Sequence, residues 1–106
     1  MLEHNPFVQF SSDDTTITYS DVKTDEKQRE YITIYFETPS EYGFSSMNIR
    51  YPNGTPTHVV GYSEEELNRI MYYYHKLGKV AFEFAKEGDW VASLYDIQII
   101  LYLFLE

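Results

Sequence analysis

The apolar residues of this chain change their spacing once, at Ser63, from every second residue to every third or fourth. Period two is the mark of a strand with one buried face and period 3.6 that of an amphipathic helix. The change therefore limits the fold to strands followed by helix. An α+β domain of two layers is expected, with a four-stranded antiparallel meander packed under a long helix and a second, C-terminal helix.

Before Ser63 the alternation is read in four pieces. Thr15 to Val22 places Ile17 and Tyr19 on one side and Thr16, Thr18 and Ser20 on the other. The charged run Asp21 to Glu30 reads as a solvated loop. Glu30 to Thr38 sets Ile32, Ile34 and Phe36 opposite Tyr31, Thr33, Tyr35 and Glu37. After a turn at Pro39 to Gly43, Phe44 to Tyr51 sets Met47, Ile49 and Tyr51 opposite Phe44, Ser46, Asn48 and Arg50. The Asn53-Gly54 pair accepts a tight turn, so Thr55 to Val60 returns as a fourth strand, placed at an edge by Pro56. Residues 1–14 read as a loosely ordered start to a single domain spanning 1–106.

Ser63 and Glu66 have the spacing of a capping box, with Tyr62 and Leu67 as a hydrophobic staple. From there Leu67, Ile70, Met71, Tyr74, Leu77, Ala81, Phe82 and Ala85 form one stripe. Gly78 falls inside it, where a missing side chain permits close approach despite a helix-propensity cost of about 1 kcal/mol. Gly88 is placed to end the helix. Trp90 onward reads as a second helix, although Ile97 to Leu105 also suits a buried strand by residue type. As a helix that segment is apolar nearly all round, so it needs a cover. A symmetric homodimer through Ile97, Ile100, Leu101 and Phe104 is the expected one.

The chain contains no cysteine, which excludes thiol chemistry, disulfides and Cys-based metal sites. Its first ten residues lack the pattern of an export leader, and Ile97 to Leu105 falls short of the roughly 20 residues that span a bilayer. A cytoplasmic protein without a membrane segment is expected. The formal charge of −9 repels phosphate backbones and favours a partner with a basic surface.

Catalytic motifs are not found. His4, His58 and His75 stand in no arrangement that pairs a nucleophile with a base, and the glycines form no phosphate loop. Asp13-Asp14 reads as a turn, and Glu64 to Glu66 as a helix start favoured by the macrodipole. No catalytic residue, metal ligand or cofactor site is assigned.

Two surfaces remain as binding candidates. The polar side of the sheet gathers Tyr31, Thr33, Tyr35, Asn48 and Arg50, and aromatics over a polar sheet can stack nucleic-acid bases. The order of four strands then a helix is similar, in layout alone, to small single-strand-binding transcription cofactors. The polar side of the helix gathers Arg69, Tyr72, Lys76 and Lys79, a locally basic stripe on an acidic body. Each surface also reads as an ordinary solvated face. Together these features point first to a small acidic interaction protein of the accessory, inhibitor or immunity type. A single-stranded nucleic-acid module is the alternative.

Overall fold

The computed structural model describes residues 4–41 and 43–87. Strands β1 (Asn5–Gln9), β2 (Thr16–Tyr19), β3 (Lys23–Thr24), β4 (Glu30–Ser40), β5 (Gly43–Tyr51) and β6 (Pro56–Val60) precede helix α1 (Glu64–Lys86). The sheet runs β1-β2-β4-β5-β6, every neighbouring pair antiparallel. Short β3 pairs with the first residues of β4, continuing the β2 edge beyond a break at Ser20. The antiparallel sheet and the long helix match the sequence expectation.

The expected count of four strands is corrected to six among the described residues. Residues expected to be loosely ordered supply β1, because Phe7, Val8 and Phe10 are apolar enough to pack against the core. A register shift between Pro6 and Val8 accommodates Phe7, whose ring meets Tyr19 and Phe84 edge-on. The run Asp21 to Glu30, read as loop throughout, contains β3 and a turn organised by Asp25, whose carboxylate accepts from the amides of Lys27 and Arg29. Local polarity hid both features. The expected second helix and the dimer residues Ile97, Ile100, Leu101 and Phe104 lie outside the described residues.

The helix begins as its sequence dictates. Ser63 Oγ accepts from the Glu66 amide and Glu66 Oε1 accepts from the Ser63 amide, so the box closes in both directions. The cap at the far end is Glu87 in a helical conformation, one residue before Gly88. Over this length α1 buries Ile70, Tyr73, Tyr74, Leu77, Gly78 and Ala81 against one face of the sheet.

That sheet face presents Ile17, Tyr19, Ile32, Ile34, Phe36, Met47 and Ile49, all buried. The two stripes make one core, the main source of stability at roughly 25 cal/mol per Å² of apolar surface removed from water. Polar groups in this layer are paired: Thr15 and Thr38 share a hydrogen bond of 2.8 Å, and Thr38 a second, of 2.9 Å, with the Tyr62 hydroxyl. Gly78 faces the Tyr51 ring across this core. A Cβ there would stand 2.8 Å from the Tyr51 ring, so only glycine lets β5 and α1 close at this distance.

Phe82 belongs to the apolar stripe but is only half-buried, beside Tyr51 and beneath the Lys86 ammonium. At the margins of the stripe, Met71, Val80, Phe82 and Phe84 are likewise only partly buried.

Candidate interaction surfaces

Among the described residues α1 packs on one face only, and alternation sends Thr16, Thr18, Tyr31, Thr33, Tyr35, Ser46, Asn48 and Arg50 to the other. All five sheet residues singled out from sequence are brought together there. Thr33, Tyr35, Asn48 and Arg50 line an open depression of about 470 Å³, completed by Asn53, Thr55, Thr57 and His58. Tyr31 stands beside it, with the Arg50 guanidinium 4.0 Å from its ring centroid.

Sequence reasoning did not find the second half of this lining. Asn53 and Thr55 belong to a turn and Thr57 and His58 to the edge strand, and only the fold of β6 back onto β5 brings them to Asn48 and Arg50. Between Ser46 and Asn48 the β5–β6 register shifts, and within this irregularity His58 takes a positive φ of 53°. Such left-handed backbone costs a residue with a Cβ roughly 1–2 kcal/mol. A bulge of this kind re-aims a side chain. Here it turns the His58 side chain to the depression.

The aromatic faces on this surface already have neighbours. His4 lies with its ring centroid 3.7 Å from that of Tyr35, and its Nδ1 is 3.1 Å from the Thr18 hydroxyl. Arg50 covers Tyr31. A nucleic-acid base would have to displace these groups before stacking.

The helix side does not form the basic stripe expected of it. Arg69 is drawn across to the β1–β2 turn, where its Nε stands 3.1 Å from Asp13 Oδ2. Asp13 also accepts from the Thr15 amide at 2.9 Å and from the Tyr73 hydroxyl at 3.1 Å. Burial alone would raise the Asp13 carboxyl, but the Thr15 and Tyr73 hydrogen bonds and the Arg69 charge outweigh it, and its pKa falls below the usual aspartate value. Lys76 stands 5.7 Å from the Tyr72 ring centroid, and Lys79 is exposed. Tyr72, Lys76 and Lys79 are thus a lysine-bearing helix face without its arginine.

Charge is instead segregated along the strands. The β1–β2 turn, the β4–β5 turn and the start of α1 meet at one end of the sheet, as the Thr15–Thr38–Tyr62 hydrogen bonds show. Asp13, Asp14, Glu37, Glu41, Glu64, Glu65 and Glu66 collect there, with Arg69 as the accompanying base. Their field is felt by Tyr62. Burial first, then the charges of Asp13, Glu66 and Glu37, push its hydroxyl above the usual tyrosine pKa. At the opposite end Lys23, Lys27, Arg29 and Arg50 are balanced by Asp21, Asp25, Glu26 and Glu30.

Exposed apolar side chains adjoin the acidic end. Phe44 is 65% exposed, and Val59 and Val60 on the edge strand are exposed as well. Among the described residues no group of three or more His, Asp or Glu side chains is placed to hold a metal ion, and no helix is long and apolar enough to cross a membrane. In comparisons with family models, curated proteins and solved structures, nothing matches this chain.

Proposed function

We propose that this protein is a non-enzymatic interaction module that docks its acidic end against a basic surface of another protein. The observation that carries the reading is the segregation of charge: among the described residues, seven carboxylates and one arginine share the end formed by the β1–β2 turn, the β4–β5 turn and the start of α1. A concentrated field of one sign speeds encounter with a complementary surface and repels like-charged competitors. Arg69 is held on Asp13 and neutralises that one carboxylate, so the other six keep the field negative. Exposed Phe44 follows the β4–β5 turn directly, so an apolar anchor adjoins the charged rim. The accessory or inhibitor role expected from composition then consists of covering a partner's cationic site.

The single-stranded nucleic-acid alternative is the weaker reading. Base stacking needs open aromatic faces, whereas Tyr31 lies under Arg50 and Tyr35 beside His4.

Affinity capture from native lysate, in parallel with wild type and a Glu37→Lys/Glu41→Lys/Glu64→Lys variant, tests the proposal. Wild type should retain a basic protein that the variant loses. Raising salt from about 0.1 M to about 1 M shortens the screening length from about 10 Å to about 3 Å and should release it. Retention of the same protein by the charge-reversed variant, or capture abolished by nuclease, would overturn the reading.

A further inference from the structure

Several of the polar groups that line the depression on this sheet face make no hydrogen bond among the described residues. Arg50 forms no ion pair with any described carboxylate, and its side chain donates no hydrogen bond. Yet its guanidinium is not loose, since it lies against Tyr31. A guanidinium placed against a ring still presents paired N–H groups that match the oxygens of an anion. Asn53 accepts through Oδ1 from the backbone and side chain of Thr55, which orients its amide nitrogen but leaves that nitrogen without a partner. Asn48 and the hydroxyls of Thr33 and Thr57 likewise make no side-chain hydrogen bond within the described residues.

The surroundings set the sign of the ligand. Among the described residues no carboxylate lines this depression, in a chain whose acids outnumber its bases 17 to 8. Arg50 also lines a second, adjoining depression of about 420 Å³, together with Lys27 and Arg29. Of the two acids there, Asp25 is engaged by Arg29 at 2.9 Å and by backbone amides, which leaves Glu26 against Lys27 and Arg50. The boundary between the two hollows is therefore positive. The wall that extends from it toward β6 consists of amides, hydroxyls and an imidazole, which donate and accept in alternation, as ring hydroxyls require.

We propose that this depression is a binding site for a sugar phosphate, free or as part of a nucleotide. The Arg50 fork takes the phosphate at the positive boundary, and Thr33, Asn48, Asn53 and Thr57 take the sugar hydroxyls. A phosphate suits the position better than a carboxylate. It carries the larger charge and more acceptor oxygens, and the hollow is too open for a monoanion to gain much from a single arginine. The volume falls in the range of small-molecule sites, about 300–1,000 Å³. His58 closes the β6 side, where its left-handed backbone in the bulge is the strain expected of a residue held for position. This site lies away from the acidic end, so it stands or falls independently of the docking reading.

Amide and arginine Nε–H resonances of the full chain, followed during titration with ribose 5-phosphate, test the proposal. Signals of Asn48, Asn53, Thr57 and Arg50 should move saturably. Arg50→Gln should weaken binding roughly tenfold or more, the effect of removing a charged hydrogen-bond donor. Lys86→Gln at the end of α1 should leave it unchanged. Ribose alone and inorganic phosphate alone should each bind far more weakly than the compound that joins them. Adenosine monophosphate distinguishes the sources: tighter binding than ribose 5-phosphate marks a nucleotide, and equal binding a free sugar phosphate. The proposal is overturned by the absence of saturable shifts at millimolar ligand, by unchanged affinity in Arg50→Gln, or by inorganic phosphate binding as tightly as ribose 5-phosphate. Preferential binding of a thymidine oligonucleotide across Tyr31 and Tyr35 would overturn it too, in favour of a strand-binding face.

Discussion

Replacing Gly78 by alanine sets two effects of known size against each other. In a helix interior the substitution gains about 1 kcal/mol, because glycine forfeits more backbone entropy than alanine on folding. Here the added Cβ meets Tyr51 Cδ2 at 2.8 Å, Cε2 at 3.2 Å and Tyr74 Cε1 at 3.5 Å. Carbon atoms pack best at about 3.5–4.0 Å, so the Tyr51 ring must withdraw by roughly 1 Å. It has little room to do so, with the ring centroids of Phe82 at 5.4 Å and Tyr74 at 6.1 Å. Overpacking of this kind costs about 1–3 kcal/mol. The net expectation for Gly78→Ala is a loss of up to about 2 kcal/mol, despite the better helix former. The decisive comparison uses a Tyr51→Ala background, where the obstruction is gone and Gly78→Ala should stabilise by about 1 kcal/mol. Urea unfolding followed by far-ultraviolet circular dichroism measures all four corners of the cycle. A gain of about 1 kcal/mol in the wild-type background, or no coupling between the two sites, would refute the claim that glycine is required for β5 and α1 to close.

Three further predictions concern the core and the ionisable groups. Phe36, 1% exposed at the centre of β4, should cost about 3–5 kcal/mol when truncated to alanine, and half-buried Phe82 distinctly less; equal losses in chemical denaturation would contradict the packing described. Asp13 has its folded pKa lowered below 3.8, so it contributes stability above its unfolded pKa and loses it as pH falls through the folded value. Asp13→Asn should therefore destabilise the protein near neutral pH and flatten the decline in Tm below about pH 4. Tyr19, Tyr62, Tyr73 and Tyr74 are raised above 10.0, chiefly by burial, and give the opposite sign: their contribution holds below the unfolded pKa and fades as pH climbs through the folded values. Tyr62→Phe should reduce that alkaline loss, and an unchanged pH profile for both variants would count against these assignments.

Much of the frame was legible in the sequence because it depends on local periodicity and local hydrogen bonds. The alternation in Glu30 to Thr38 and Phe44 to Tyr51 identifies which side chains are buried without reference to any partner strand, since a strand offers only two faces. Ser63 and Glu66 announce the helix for a similar reason, as the capping box is satisfied within four residues. What lay beyond reach depends on contacts between distant segments. β1 carries little alternation of its own and exists because Phe7 and Phe10 find Phe84, Tyr19 and Tyr73 far along the chain. Arg69 belonged by spacing to a basic helix face, and only the fold brought Asp13 to within 3.1 Å of it. The sheet face was visible as Tyr31, Thr33, Tyr35, Asn48 and Arg50, but the hollow needs Asn53, Thr57 and His58 from a strand that returns beside β5. The same holds for charge. The sequence determined that this protein is acidic, whereas the meander decided that two turns and a helix start would place their carboxylates at one end, because antiparallel strands return alternate connections to the same side.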